Sequence, residues 1–148
     1  MNFHVIQATN QNFLNKAYLL RGELFTDDLR WQDEYDPHSI HFLALHGKYG
    51  VPVGVVRLIQ NSEVGLPVQK YFGVQVDELS GEMSRLGVLP EYRGYPKIGM
   101  GLVLACREEA GIIGLNELYY ISAKKKARRV GGPTIIEGIP RCAYRYRP

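Results

Sequence analysis

The run Val88-Leu89-Pro90-Glu91-Tyr92-Arg93-Gly94-Tyr95-Pro96-Lys97-Ile98-Gly99-Met100-Gly101-Leu102 carries the strongest chemical signal in the chain. A strand that ends in an Arg-Gly turn and leads into a helix puts unpaired backbone N–H groups at the helix start. Such groups hold a phosphate by hydrogen bonds and by the helix dipole. Gly94, Gly99 and Gly101 leave the backbone open to close approach, and Arg93 and Lys97 add positive charge. The run is not a P-loop, because no Gly-Lys-Ser/Thr follows, and it lacks the third glycine of the dinucleotide fingerprint. The plainer reading of the same residues is an ordinary strand-to-helix turn.

About residues 82–122 resemble motif A of the GNAT acyltransferase superfamily, whose strand ends in a pattern like V-x-P-x-Y-R-G. The next helix there opens on the pyrophosphate or phosphopantetheine of an acyl donor. The resemblance implies that Val88, Arg93, Gly94, Gly99 and Gly101 meet that arm. The usual Arg-x-x-Gly-x-Gly spacing is stretched by Tyr95, Pro96 and Lys97, which favours a carrier-protein donor over a free coenzyme. Upstream, Leu20-Arg21, Phe25, Leu29, Trp31, Asp33-Glu34-Tyr35-Asp36, Gly54-Val55-Val56-Arg57-Leu58 and Glu82-Met83-Ser84-Arg85 resemble the signature of acyl-homoserine lactone (autoinducer) synthases. N-acyl amino acid synthases share parts of it, and Gly131-Gly132-Pro133 through Ile139-Pro140 is similar to that family's late strands. The likeness spans about residues 18–144.

It implies that Arg21, Phe25 and Trp31 line the mouth of a substrate site that also holds Ser84. Asp33, Asp36, Arg57 and Arg85 form a charged cluster with Arg21, and Glu82 is the base, with Arg85 beside it in the catalytic pair. The implied reaction is N-acylation of an amino acid or amino-acid derivative, as in the synthesis of quorum-sensing signals. The donor is an acyl carrier protein or CoA thioester, with no tightly bound cofactor. The chain is shorter than a typical lactone synthase, and its Ser84-Arg85-Leu86-Gly87-Val88 run is closer to general acyltransferases. Whether the acceptor is S-adenosylmethionine therefore stays open. Two alternatives stand beside this reading: a small acetyl-CoA-dependent N-acetyltransferase, and a non-catalytic module that binds acyl carriers or nucleic acid.

The chemistry is consistent with these residue types. A free α-amino group has a pKa of about 8 and is mostly protonated at neutral pH, so a base must take its proton. Glu82 can do so, directly or through a water. Backbone N–H groups near a bulged Gly87 could stabilise the thioester oxyanion. Asp33 and Asp36 suit an ammonium or sulfonium, and Arg21, Arg57 or Arg85 suits a carboxylate. In a regular strand Glu82 and Arg85 point to opposite faces. Both reach one cleft only if a bulge or twist intervenes. Tyr119 and Tyr120 are candidate acids for the leaving thiolate, though a strand tyrosine is more often structural.

Lys124, Lys125, Lys126, Arg128 and Arg129 place five cations in six residues. The bland reading is a solvated helix face, and the functional one is a dock for an acidic acyl carrier protein. Nucleic acid is a third reading, helped by Tyr144-Arg145-Tyr146-Arg147, and ranks below carrier docking. Net charge is −4 over residues 1–123 and +7 over residues 124–148. His41 and His46 lie on opposite faces of one strand, so no metal site is expected.

The elements that must position these groups follow from periodicity. Strands are predicted at Phe3–Ala8, His41–His46, Val51–Gln60, Glu82–Leu89, Leu118–Ser122, Thr134–Glu137 and Cys142–Arg147. A helix capped by Thr9 or Asn10 buries Phe13, Leu14, Ala17, Tyr18, Arg21 and Phe25 on one face. Residues 26–39 form a loop, one helical turn lies near Val68–Phe72, a helix runs over Ile98–Ile112, and Ala123–Val130 forms a short basic helix. This order gives a mixed α/β (α+β) fold: a largely antiparallel, splayed central sheet with helices on both faces. The 148 residues make one domain. No membrane span or export signal is visible, and Cys106 and Cys142 read as buried free thiols, so a cytoplasmic location is expected.

Overall fold

The computed structural model describes residues 2–25, 32–126 and 128–147. Its strands are β1 (Phe3–Gln7), β2 (Ser39–His46), β3 (Val51–Gln60), β4 (Ser80–Val88), β5 (Glu117–Ser122), β6 (Arg129–Ile136) and β7 (Ile139–Tyr146). They form one sheet in the order β1-β2-β3-β4-β5-β7-β6. Every neighbouring pair is antiparallel except β4 and β5, which are parallel.

Helices cover both faces, which is why β2 and β3 are near-continuous apolar runs. Helix α1 (Gln11–Leu24) starts where Asn10 Oδ1 accepts the Phe13 N–H at 2.9 Å, a side-chain cap for an otherwise orphaned donor. It buries Ala17 and Leu20 against Leu43, Leu45 and Val55. The longer α3 (Pro96–Ile112) packs Ile98, Leu102, Cys106 and Ala110 on the opposite face, against Phe42, Ala44, Val56 and Leu58. Short α2 (Pro67–Phe72) contributes Val68 to a third cluster with Tyr35, Ile59, Tyr119 and Ala143. No described helix is long and apolar enough to cross a membrane.

Two features of β4 open the sheet. First, β4 and β5 pair only from Ser80↔Glu117 to Met83↔Tyr120 and then part. Second, β4 carries an extra residue against β3: Val55 faces Gly87 while Arg57 faces Ser84. The irregularity is centred on Arg85, whose φ is +54°, and not on Gly87. Gly87 serves close packing instead. A Cβ there would lie 2.8 Å from Leu24 Cδ1 and 3.4 Å from the Phe25 ring, so its absence lets the end of α1 lie on β4.

Other expectations need correction. Among the described residues of 123–130 there is no helix. Lys124–Lys126 form an exposed turn, Arg128 is left-handed (φ +62°), and Arg129 already pairs with Tyr144 in β6. Like charges at neighbouring helical positions repel, and the ladder with β7 captures the segment. Helix α3 begins at Pro96, two residues early, because proline suits the first helical turn. Strands β6 and β7 begin five and three residues before the expected starts, joined by a tight turn at left-handed Glu137 and Gly138. Cys106 is buried, but Cys142 is only half-buried.

Candidate active site

The bulge at Arg85 turns the chain so that Glu82 and Arg85 line the same cleft, about 380 Å³ in volume, on the α1/α2 side of the parted strands. Asp33, Arg57, Ser84 and Phe25 line it as well. Trp31 and Leu29 lie outside the described residues.

An ion-pair network forms one wall. Buried Arg57 donates from Nη1 to Asp33 Oδ1 (2.6 Å) and Asp36 Oδ1 (3.0 Å), and from Nε to Ser84 Oγ (2.9 Å). Arg21 Nη1 reaches Asp36 Oδ1 at 2.6 Å, and the Asp33 backbone N–H donates to Asp36 Oδ2 at 2.8 Å. Arg85 Nη2 lies 3.8 Å from Asp33 Oδ2, and its guanidinium sits over the Phe25 ring at 5.4 Å. The structure thus brings Arg21, Asp33, Asp36, Arg57, Ser84 and Arg85 into one cluster. They divide by depth, however. Arg21 and Asp36 are buried and do not line the cleft, whereas Asp33 and Arg85 reach it. Burial pushes the Asp36 carboxyl up, but the Arg21 hydrogen bond and the charges of Arg21 and Arg57 outweigh it and hold the group below its ordinary value.

Glu82 is 1% exposed. Its Oε1 accepts the Val68 N–H at 2.8 Å, which ties it to the first turn of α2. Burial pushes its carboxyl up to about 8, against the smaller opposing effects of that N–H and of Arg57. Its ionisation therefore falls far above the ordinary carboxylate range.

His41 was not singled out for this site by the sequence. It is the β2 register partner of Arg57, is 2% exposed, and lies edge-on to Tyr18 at 5.3 Å. Its Nε2 is 3.7 Å from Asp36 Oδ1, and burial pulls its pKa down to about 4. The imidazole is therefore neutral and structural at physiological pH. The far wall, from Tyr71, Ile121, Ile136 and Arg141, was also missed, because nothing local in α2, β5, β6 or β7 signals it. Tyr119 is buried, donates to Glu117 Oε2 at 2.5 Å and does not line the cleft; burial, then Glu117, pushes it up to about 12. Among the described residues, no group of three His, Cys, Asp or Glu is placed to hold a metal.

On the other side of the parting, α3 starts at the end of β4. Arg93 Nε donates to the Val88 carbonyl at 2.9 Å, holding the guanidinium beside the helix start. A Cβ on Gly94 or Gly99 would meet nothing within 4 Å, so that surface is open, whereas one on Gly101 would lie 3.2 Å from Val5 Cγ2. Gly101 thus faces a strand rather than free space.

A mixed sheet with one parallel pair that opens beyond its first residues, a bulge on the opening strand and a helix starting at its end together define the GNAT acyltransferase fold. Residues 16–102 match the family model described as an acetyltransferase (GNAT) domain, and the chain belongs to that family. It is an N-acyltransferase of GNAT type. FeeM, an N-acyl amino acid synthase from uncultured soil microbes, superposes with a TM-score of 0.78 at 14% identity, over 99% of this chain and 91% of that one. BjaI, a CoA-dependent acyl-homoserine lactone synthase solved with S-adenosylmethionine and isopentyl-CoA, gives 0.70 at 24% identity, over 97% and 81%. An acyl-CoA N-acyltransferase from Pseudomonas aeruginosa gives 0.70 at 17% identity, over 97% of each chain. No curated protein sequence matches the chain.

Proposed function

We propose that the protein transfers an acyl group from a CoA or carrier-protein thioester to the α-amine of an amino acid or amino-acid derivative. The observation that carries this reading is Glu82: a buried carboxyl with a raised pKa, in one cleft with a guanidinium, Arg85, that the bulge brings to its side. The acceptor's ammonium gives one proton through Glu82 to solvent, the freed amine attacks the thioester carbon, and the C–S bond breaks. The second proton leaves the nitrogen and ends on the departing thiolate, so amide, free thiol and one released proton are the products. Arg85 and Asp33, which line the cleft beside Arg57, hold the acceptor's carboxylate and ammonium. The donor arm enters where β4 leaves β5, with its pyrophosphate over Arg93, Gly94 and Gly99. The exposed Lys124–Lys126 turn with Arg128 and Arg129 then meets the acidic carrier.

Mass spectrometry of products from a panel of amines tests the acceptor class. L-amino acids and S-adenosylmethionine should be acylated, and the matching decarboxylated amines should react at least tenfold more slowly. Arg85→Gln should erase that difference. Equal acylation of both sets by the wild type would refute the assignment and leave a general small-amine acetyltransferase. For the carrier, Lys125→Glu with Arg129→Glu should raise the apparent KM for carrier-bound donor and leave that for acyl-CoA unchanged. Unchanged KM for both removes the docking role.

A further inference from the structure

A second cavity, about 250 Å³, lies on the α3 side of the sheet. It is lined by Leu118 and Tyr120 of β5, Arg145 and Tyr146 of β7, Arg107 of α3, Arg128 and Met83. Met83 is the last β4 residue paired with β5, and it borders this cavity and the Glu82 cleft alike. Met83 thus borders both spaces at the point where the strands part.

The lining carries three guanidiniums and no carboxylate. Arg107 packs 3.6 Å above the Tyr146 ring, which fixes its plane. Arg145 lies 3.6 Å from Glu117 Oε1, a carboxylate it shares with Arg147 at 3.2 Å. Arg128 is exposed and in no ion pair among the described residues. Glu117 is shared between Arg145 and Arg147, so with Arg107 and Arg128 the surroundings of this small space stay net positive and attract an anion. Guanidiniums present paired N–H donors that match a carboxylate or phosphate. A purely aliphatic chain would desolvate these charges with nothing in return.

We propose that this pocket is an oxyanion-binding site facing the parted strands. Its ligand is a carboxylate at the far end of the acyl group or a phosphate of the donor. The assignment rests on the acyl-transfer reading, and the test separates the two. Calorimetric binding of CoA, hexanoyl-CoA and glutaryl-CoA is measured on wild type, Arg128→Gln and Arg145→Gln. If the acyl carboxylate is the ligand, glutaryl-CoA binds the wild type about tenfold or more tighter than hexanoyl-CoA, and both variants lose that advantage. If a donor phosphate is the ligand, the variants weaken all three compounds alike. Variants that bind all three as the wild type does overturn the site. Should none bind the wild type, the donor reading fails. Free glutarate and inorganic phosphate then decide the pocket through the NMR ring signals of Tyr120 and Tyr146, and unchanged signals overturn it.

Discussion

Glu82→Gln should make the protein more stable at alkaline pH while abolishing its chemistry. Burial holds the Glu82 carboxyl near 8, against an ordinary value of 4.5. Between those values the folded state keeps a proton that the unfolded state has released. The folded state binds more protons, so its stability falls as pH rises. The slope approaches ~1.4 kcal/mol per pH unit. Across about three and a half units the accumulated cost is roughly 5 kcal/mol, less whatever water entry relieves. Glutamine keeps the size and an oxygen for the Val68 N–H, and it removes the ionisation. Urea unfolding of both proteins from pH 5 to 9 measures the effect, because contributions from His41 and Asp36 are common to the pair and cancel. The two stabilities should be similar near pH 5. The variant should gain steadily up to about pH 8 and then hold its lead. A difference that does not change with pH would refute the buried-acid account, and a variant that weakens as pH rises would reverse its sign.

Further outcomes follow from the same geometry. Asp36→Asn leaves Arg21 and Arg57 facing each other without their shared carboxylate, and chemical denaturation should show a loss of about 3–5 kcal/mol. The wild type should also lose stability in acid as Asp36, held below its ordinary 3.8, takes up a proton. Gly81→Ala brings a Cβ within 2.7 Å of the Ile59 carbonyl oxygen and 2.6 Å of Leu115, so thermal melting should show a destabilisation of about 1–3 kcal/mol. Gly99→Ala meets open space and should stabilise α3 by about 0.5–1 kcal/mol. Its donor KM should nevertheless rise, since the added methyl stands where phosphate approaches, and an unchanged KM would move the donor away from the helix start.

Sheet, helices and ion pairs were not equally legible. The apolar runs of β2 and β3 and the three- and four-residue spacing in α1 mark their elements, because burial against helices on both faces leaves no other pattern. Glu82 and Arg85 stand out in the sequence as a candidate pair, but their shared cleft depends on a left-handed Arg85, a conformation that no local signal announces. His41 reads as one more strand residue, and only its register against Arg57 places it beside Asp36. The basic run misled, since helix propensity there is overridden by pairing with β7 across a distance the sequence does not show. The pocket of Arg107, Arg128 and Arg145 is assembled from a helix, a turn and the last strand, so no motif could have collected it.

The central claim is that Glu82 activates an amine against a thioester. Free-thiol release from acyl carrier protein and CoA thioesters tests it most directly, with and without amino acids or S-adenosylmethionine, for wild type and Glu82→Gln from pH 6 to 9. The account predicts acceptor-dependent release that rises with pH up to about 8 and drops about 10²–10⁴-fold in the variant. Acceptor-dependent release that persists unchanged in Glu82→Gln would contradict it.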